Sequence, residues 1–368
     1  MPSTVFFTTM RTALDESLLT KLRRLLFAAG IDSIDFRHKY AAIKLHFGEP
    51  GNLSFLRPNY AKVVADIIKE QGGKPYLTDC NTLYTGRRKN GLDHIDSAYE
   101  NGYTPFSTGC HVIIGDGVKG TDEAYVPVIK GELCKEARIG RAVMDADVFL
   151  SLTHFKGHEE AGFGGALKNI GMGCGSRAGK MDMHSDGKVK ASKRRCIGCG
   201  VCATACAHDA PQIADNTCVI DQDKCVGCGR CLARCPVDAI YAPESSASAQ
   251  LGKKIAEYTA AVLAGRPHFH ISLVIDVSPY CDCHAANDVG IVPNIGMFAS
   301  FDPVALDMAC ADAVNAQEPI ANSFLGEAEH VHHDHFKDMF PTSDWEAALT
   351  HAEKLGIGTR AYTLVNVE

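Results

Sequence analysis

The chain has 368 residues, 46% hydrophobic and 22% charged, which is typical of a folded globular protein of two or three domains. The 37 Lys and Arg residues against 44 Asp and Glu residues give a net charge of −7, which argues against a nucleic-acid binder that depends on phosphate contacts. The sequence has no run of 18 apolar residues and no signal-peptide pattern at its start, so we expect a cytoplasmic protein without a membrane span.

Apolar runs of strand length alternate with segments of helical period over the first 190 residues, which is typical of an α/β fold. Gly30 and Gly72 are expected to end the first two helices, and Pro58 suits the first turn of the second helix. The predicted strands are 5–9, 41–47, 75–79, 111–115 and 148–153, and the predicted helices are 16–29, 59–71, 137–144 and 165–170.

Eight of the 16 cysteines form two runs with the same spacing, C-x2-C-x2-C-x3-C. This spacing is that of the bacterial ferredoxin, in which the fourth cysteine of each run ligates the other cluster. Glycines between the cysteines allow tight turns that aim backbone N–H groups at sulfur. The predicted ligands are Cys196, Cys199, Cys202 and Cys235 for one [4Fe–4S] cluster, and Cys225, Cys228, Cys231 and Cys206 for the other.

The same cysteines could instead form disulfides or bind zinc. Disulfides are disfavoured in a reducing compartment, and zinc sites use paired ligands rather than a duplicated four-cysteine run. The second run is followed by Pro236, as is usual in the ferredoxin pattern, whereas the first has Ala207 at that place. Since proline is not a ligand, the change affects the tuning of a cluster and not its binding.

The pattern after the cysteine runs returns to α/β. A Ser/Ala-rich linker is predicted at 244–249, leading into a helix through about residue 263. Helices are predicted at 302–314, capped by Asp302 with Pro303 in its first turn, and at 343–355, and strands at 268–277 and 361–367. We therefore predict a two-lobed α/β body, with lobes 1–190 and 244–368, and an inserted ferredoxin domain of α+β type at 191–243.

A polar, glycine-rich segment follows the predicted strand 148–153, where open α/β sheets place their ligand sites. Its histidines and lysines are interleaved with glycines, a pattern that favours binding of an anionic group by side chains and backbone N–H donors over a flexible loop. We predict catalytic roles for His154, His158 and Lys168. The predicted cofactor-binding residues of this segment are Lys156, Gly164, Gly165 and Asn169.

Other segments just past predicted strands are expected to line the same cleft. One contains Lys44 and His46, another spans 78–82, and a third, directly ahead of the cysteine runs, contains His184. We predict that Lys44, His46 and His184 also bind the cofactor. Cys281 and Cys283, in the run C-D-C-H, offer two soft ligands to a transition metal. The alternative for this pair is two reduced cysteines beside a cofactor.

The remaining histidines and cysteines carry weaker signals. The run 329–335 holds four histidines and could bind metal, but no apolar frame surrounds it, so a solvated surface turn is favoured. Isolated cysteines are most often buried thiols without chemistry. We interpret Cys110, Cys134, Cys218 and Cys310 in this way.

The motifs together resemble the DUF362 family of uncharacterised Fe–S centre proteins. The resemblance rests on the segment 154–174, the Cys281-Asp282-Cys283 turn, the stretch 293–307 and the inserted double-cluster ferredoxin, and it covers nearly the whole chain. It implies an anaerobic, cytosolic iron–sulfur protein in which a DUF362 body carries a ferredoxin.

A fainter resemblance links the segment 158–168 to the lactate racemase-type family, which has a His-x-x-Ala-Gly-Phe-Ser-Gly-Gly-x-Lys run. It implies that His158 matches an acid–base histidine and that Lys168 matches the lysine that holds a nickel-pincer nucleotide. The sequence departs from that run by one residue of spacing and by glycine in place of serine. Only the expectation of a pocket is therefore carried over.

The leading hypothesis is a redox protein, in which electrons pass through two [4Fe–4S] clusters to a substrate, an additional metal or an organic cofactor in the cleft. The alternative is a cofactor- or metal-binding or maturation protein whose clusters sense redox state or stabilise the fold. A duplicated cluster site favours an electron path over a purely structural role. The expected partner is a redox protein or a small-molecule acceptor; the oligomeric state is left open, with a homodimer among the options.

Overall fold

The structure, a computed structural model, describes residues 2–83, 86–185, 188–243 and 248–368. Residues 244–247 of the predicted linker 244–249 lie outside the described residues. In the described chain the strands are β1 (Ser3–Thr9), β2 (Tyr40–Lys44), β3 (Lys74–Asp79), β4 (His111–Ile114), β5 (Glu123–Pro127), β6 (Glu136–Gly140), β7 (Val148–His154), β8 (Lys156–His158), β9 (Gly162–Gly164), β10 (Lys190–Ala191), β11 (Pro211–Ala214), β12 (Thr217–Ile220), β13 (Ile240–Tyr241), β14 (His268–Val274), β15 (Gly296–Ser300) and β16 (Tyr362–Asn366).

The helices flank these strands and alternate with them along the chain. In order they are α1 (Leu18–Ala28), α2 (Pro58–Glu70), α3 (Gly91–Glu100), α4 (Pro105–Thr108), α5 (Arg141–Met144), α6 (Ala166–Cys174), α7 (Arg177–Ser185), α8 (Val201–Thr204), α9 (Arg230–Arg234), α10 (Ser248–Leu263), α11 (Pro303–Asn315), α12 (His335–Met339) and α13 (Trp345–Leu355). The predicted cap of α11 is present, because the Asp302 carboxylate accepts the N–H groups of Val304 and Ala305 at 2.8 and 3.0 Å.

One eight-stranded sheet forms the centre of the protein, in the order β16-β1-β15-β14-β7-β2-β3-β4. The strands from β14 through β4 run parallel to one another, and β15 is antiparallel to both of its neighbours. The sheet takes strands from both sides of the cysteine runs, since β14 pairs with β7. The predicted α/β class is therefore confirmed, and the two predicted lobes share a single sheet.

Helices bury both faces of this sheet. Neighbouring residues of one strand enter opposite cores: Ala42 packs in one and Ile43 in the other, as do Phe149 and Leu150. α1 and α2 cover the second of these faces, whereas α6, α10, α11 and α13 cover the first. Burial on both sides explains why the parallel strands are continuous apolar runs in the sequence rather than alternating ones.

The structure corrects two predicted elements. The predicted helix at 137–144 is strand β6 followed by the one-turn helix α5, and β6 pairs with β5 in an antiparallel hairpin. Ala137 and Ile139 are buried while Glu136 is exposed, which is the two-residue period of a strand. Strand β15 is absent from the predicted elements, because it has only five residues and depends on pairing with β1 and β14.

The cysteine-rich stretch forms small structures of its own. It contains the strand pairs β10-β13 and β11-β12 and the short helices α8 and α9. Its cysteines pack in a buried cluster together with Leu83, Met181 and Val189 from the preceding chain. The domain boundaries at 191 and 243 stay a prediction. Among the described helices, none combines the length and apolar character needed to cross a bilayer.

Candidate functional site

A cavity with about 660 Å³ of empty space opens at the carboxyl ends of the parallel strands. Lys44 ends β2, Asp79 ends β3, and the segment after β7 supplies the opposite wall. Open α/β sheets bind ligands at this edge. The lining residues are Lys44, His46, Asp79, Cys80, Thr82, Leu83, Arg88, Lys156, Gly164, Gly165, Lys168, Asn169, Met172, Gly173, Lys180, His184, Cys281 and Cys283.

The cavity gathers most of the residues that the sequence analysis proposed for the cleft. All seven predicted cofactor-binding residues line it, as do Lys168 and the predicted thiol pair Cys281 and Cys283. His158 is not among the lining residues, but it forms a hydrogen bond with Cys281, which is. Among the described lining residues, five are cationic and one is an aspartate, and two carboxylates outside the lining pair with Arg88 and Lys156. The remaining excess of positive charge favours an anionic ligand.

Buried ion pairs hold the floor of the cavity in place. Lys44 Nζ lies 3.0 Å from Asp79 Oδ1 and 2.8 Å from Asn169 Oδ1, and the Lys44 and Asp79 side chains are 1% and 4% exposed. Burial alone would raise the pKa of Asp79, but Lys44 and the neighbouring cationic groups lower it well below its usual range. The carboxylate is therefore ionised and fixes the direction of Lys44.

Arg88 was missed by the sequence analysis. Its guanidinium is 1% exposed, lies 2.8 Å from Glu49 Oε2 and 3.7 Å from Asp79 Oδ2, and approaches His46 Nε2 at 3.0 Å. Burial and then the Arg88 charge lower the pKa of His46 to about 3, so His46 is neutral. The segment 86–90 has no strand or helix pattern, so no sequence signal pointed to Arg88.

Cys281 is the most strongly activated thiol of the cleft. Lys168 Nζ lies 3.7 Å from Cys281 Sγ. A hydrogen bond from Cys283 lowers the pKa of Cys281 most, burial opposes it, and Lys168 and a hydrogen bond with His158 lower it further. His158 Nδ1 accepts the N–H groups of Glu160 and Ala161 at 3.2 and 3.1 Å, which places its proton on Nε2, the nitrogen left for Cys281.

His154 holds the turn between the two thiols rather than facing the cavity. Its Nδ1 lies 2.9 Å from Asp282 Oδ2, and its Nε2 lies 2.8 Å from the carbonyl oxygen of Ile275. Lys156 Nζ lies 3.5 Å from the same Asp282 carboxylate. Both ring nitrogens of His154 are thus engaged within the protein. Its catalytic role stays a prediction.

The start of α6 corrects one part of the predicted anion site. Asp307 of α11 accepts the N–H groups of Ala166 and Leu167 at 2.5 and 2.9 Å. A side chain at Gly165 would meet the Asp307 carboxylate at 2.3 Å, which explains the glycine. Since a carboxylate of the protein already caps these N–H groups, side chains rather than this helix start supply the positive charge of the cleft.

The eight cysteines of the two runs line two separate cavities, with about 290 and 340 Å³ of empty space. Each cavity takes three cysteines from one run and the last cysteine from the other. The first is lined by Cys196, Cys199, Cys202 and Cys235, and the second by Cys206, Cys225, Cys228 and Cys231.

Backbone groups near these cysteines point at sulfur. The N–H groups of Cys218 and Ala239 lie 3.2 Å from the Sγ atoms of Cys196 and Cys235, respectively. The glycines between the cysteines have left-handed backbone conformations, with φ between 66° and 75° at positions 198, 200, 227 and 229. Only glycine adopts this region without strain, so these turns depend on the residue type that the sequence supplies.

Of the four isolated cysteines, three lie where the sequence predicts and one does not. Cys110, Cys134 and Cys310 are buried, and burial raises the pKa of each thiol. Cys218 instead lines the first cysteine cavity, with its Sγ 3.5 Å from that of Cys202. Only the β11-β12 hairpin brings it there, so its place depends on strand pairing and not on sequence spacing.

The fold and these sites define a class: an α/β protein with a cationic, thiol-containing cleft and an inserted cysteine-rich region. A family model described as "Domain of unknown function (DUF362)" matches residues 41–312. The chain therefore belongs to the DUF362 family, as its motifs predicted. Membership in this family and the 16 cysteines favour an iron–sulfur or metal-binding role.

Known proteins show more distant similarity. A thylakoid-associated protein of Synechocystis sp. is 27% identical over 128 residues, which span 34% of this chain and 35% of that protein. The lactate racemase apoprotein of Thermoanaerobacterium thermosaccharolyticum aligns over 74% of this chain and 51% of its own, with a TM-score of 0.35 and 10% identity. A protein of Thermotoga maritima aligns over 70% and 49%, with a TM-score of 0.37 and 12% identity.

Proposed function

We propose that this protein is an iron–sulfur redox protein, in which two [4Fe–4S] clusters pass electrons to a substrate or a second cofactor in the cleft. The clusters, when bound, supply one-electron oxidation and reduction. Residues 191–243 would form the electron-transfer domain, inserted between 1–190 and 244–368. The proposed setting is the cytoplasm, with a redox protein or a small-molecule acceptor as the partner.

The observation that carries the proposal is a layer of side chains common to the cleft and the cysteine-rich region. Leu83 lines the cleft and also belongs to the buried cluster that contains Cys202 and Cys231. Met181 belongs to the same cluster, and its helix α7 lines the cleft through Lys180 and His184. Because electron transfer slows steeply with distance, this direct packing favours transfer between the two sites.

The donor set fits two iron–sulfur clusters. The crosswise division of the eight cysteines is the one that two-cluster ferredoxins use, whereas a zinc site would draw on pairs of neighbouring ligands. The N–H groups near Cys196 and Cys235 are oriented to stabilise negative sulfur. Arg177, in α7, contributes a buried positive charge beside Cys228.

The cleft residues have the chemistry to bind an anion and deliver protons. Lys44, Lys156 and Lys180 place ammonium groups along the cavity, and negative charge that develops on a reduced ligand would be offset there. His158 holds a proton on Nε2 beside Cys281, and Lys168 carries another at 3.7 Å from the same sulfur. We therefore assign proton transfer to His158 and Lys168, and ligand binding to the other lining residues.

A second candidate function rests on the thiol pair of the cleft. Cys281 is buried and Cys283 half-buried in the cavity wall, and a hydrogen bond joins them, which offers two soft ligands to a transition metal. In that case the protein would capture a metal or a metal-containing cofactor, and the ferredoxin-like region would report redox state. The distinction lies in whether the cleft turns over a substrate.

The first experiment counts metals in protein purified without oxygen. We expect about eight irons per chain and an EPR signal of reduced [4Fe–4S] clusters after dithionite treatment. Cys228→Ser should lower the iron content and change the signal, whereas Cys134→Ser, at a buried cysteine outside both cysteine cavities, should change neither. Protein that contains zinc alone would overturn the proposal.

The second experiment measures reoxidation of the reduced protein by a panel of small anionic acceptors. Lys168→Met and His158→Ala should abolish turnover while iron content and cluster reduction persist. Lys62→Met, at an exposed lysine paired with Asp66, serves as the control. Reversible reduction with no acceptor across the panel would favour the binding or maturation function.

A further inference from the structure

A second group of metal-ligating side chains lies outside the cleft, where the histidine-rich run meets α12. The run was predicted to be a solvated turn, and His332 and His333 are indeed exposed. The first and last histidines of the run, by contrast, lie close to a carboxylate of α12. His330, His335 and Asp338 each present one ligand atom, and these atoms lie within 4.8 Å of one another, the one such group found among the described residues.

Asp338 is oriented as a ligand by the loop itself. Its Oδ1 accepts the N–H groups of Val331 and His332 at 3.1 and 2.9 Å, which closes the loop onto the helix. Its Oδ2 lies 3.5 Å from His330 Nδ1, and the Asp338 side chain is 1% exposed. One carboxylate oxygen is thus used by the backbone, and the other faces the histidines.

His335 has the hydrogen bond that a metal-binding histidine uses. Its Nε2 lies 2.9 Å from the carbonyl oxygen of Gln317, so this nitrogen carries the proton and donates it. The other ring nitrogen, Nδ1, then keeps its lone pair for a metal. Ligating histidines in proteins are typically held by such a bond from their second nitrogen to a carbonyl or carboxylate.

The two ligands on α12 are held rigidly. Phe336, between them, packs against Phe163 and Phe155 with ring centroids 5.2 and 6.1 Å apart. Asp334 caps the helix through the N–H of Phe336 and also accepts the indole N–H of Trp345 at 2.8 Å. A binding site on such a helix is preorganised, so little ordering is needed when an ion binds.

We propose that His330, His335 and Asp338 bind one Zn²⁺ ion, with water completing a tetrahedral site. Two imidazoles and a carboxylate are ligands that zinc accepts at about 2.0–2.2 Å, which places neighbouring ligand atoms of a tetrahedral site about 3.3–3.6 Å apart. His330 is exposed, so it can close the remaining distance by a side-chain rotation. The ion would tie the loop 329–334 to α12, next to Phe163 in the cleft-forming strand β9.

The site differs in kind from the two cysteine cavities. It contains no sulfur, and its ligands are separate from those of the proposed clusters. The inference therefore does not depend on the proposed redox function. Loss of the zinc site should leave the iron content unchanged, so the two proposals can fail separately.

The test compares zinc content in the full-length protein that retains its clusters. After dialysis against Zn²⁺ without oxygen, His330→Ala and His335→Ala should each hold one zinc fewer per chain than the unmodified protein. The matched control is His332→Ala, which removes a neighbouring histidine outside the group and should retain that zinc. Since changes to residues that merely orient ligands cost about 10–100-fold in affinity, loss of a ligand should cost at least about tenfold.

Thermal unfolding gives a second measurement. Zinc should raise the melting temperature of the unmodified protein and of His332→Ala, and should not raise that of His330→Ala. His330 is exposed, so its replacement is not expected to prevent folding if His335→Ala does. Equal zinc content in all four proteins, or equal loss in His332→Ala, would overturn the proposal.

Discussion

Two glycines at equivalent places in the cysteine runs test whether the cysteine-rich region packs directly on the cleft-forming part of the chain. Gly200 follows Cys199 and Gly229 follows Cys228, and both have left-handed backbones, with φ of 75° and 67°. A methyl group at Gly200 would meet nothing within 4 Å. A methyl group at Gly229 would lie 2.8 Å from the Cγ and Cδ atoms of Arg177.

The size of each effect follows from these surroundings. Alanine in the left-handed region costs about 1–2 kcal/mol, so Gly200→Ala should lower the free energy of unfolding by about that amount. Gly229→Ala carries the same cost plus about 1–3 kcal/mol for overpacking. Arg177 cannot move aside cheaply, because it is buried and its guanidinium donates to the carbonyl oxygens of Lys89 and Lys119.

The assay is urea unfolding of both variants in the absence of oxygen, with circular dichroism as the measured signal. We expect Gly229→Ala to be less stable than Gly200→Ala by about 1–3 kcal/mol. Under the proposed function, electron transfer to the cleft should also be slower in Gly229→Ala alone, since the methyl group pushes the cysteine-rich region away from α7. Equal loss of stability in the two variants would refute the direct contact between Gly229 and Arg177.

Three further predictions concern single contacts. Glu257 is buried and accepts the N–H groups of residues 132–134. Burial acts to raise the pKa of Glu257, but these hydrogen bonds and the one with His351 lower it below its usual value. The stabilising effect of the carboxylate is therefore complete above about pH 5 and is lost as the pH falls below about 4.3. Glu257→Gln should therefore destabilise the protein by about 2–4 kcal/mol at pH 7 and by less at pH 4, measured by urea unfolding; an undiminished difference at pH 4 would contradict this reasoning. Asp307→Ala leaves two buried N–H groups of α6 without an acceptor and should cost about 2–4 kcal/mol in the same assay, with a cost below about 0.5 kcal/mol counting against the cap. Lys168→Met removes the ammonium group beside Cys281 and should slow alkylation of that thiol at pH 7, measured by mass spectrometry. The control Lys180→Met should have a smaller effect, because Lys180 Nζ donates to the carbonyl oxygen of Gly175. Equal alkylation rates in the unmodified protein and both variants would exclude activation by Lys168.

Local patterns predicted most of the central sheet and its helices. Continuous apolar runs placed the parallel strands, and residues such as Pro58 and Asp302 indicated where helices begin. The errors have two causes. The β6 strand shows a short alternation that a helix pattern also fits, whereas β15 depends on pairing with β1, which is distant in sequence. Long-range pairing of this kind leaves little trace in a single sequence.

The candidate site divides in the same way. Glycine-rich and histidine-containing segments after strands predicted the lysines of the cleft, since strand ends of a parallel sheet meet at one edge. Arg88 has no local pattern and reaches the cleft only because Glu49 and His46 hold its guanidinium. For His154 the sequence could not show the partners of the ring, because Asp282 and the Ile275 carbonyl, which occupy its two nitrogens, lie more than 100 residues away along the chain.

The sequence by itself indicated the α/β class, the family and the division of eight cysteines into two sets, because each of these depends on residue spacings of only a few positions. Only the tertiary structure decided which groups face one another: Asp307 against the start of α6, Lys168 against Cys281, and Leu83 between the cleft and the cysteine-rich region. The physical reason is that burial and charge pairing act between residues far apart in sequence, and their strength depends on distances that only the folded chain sets.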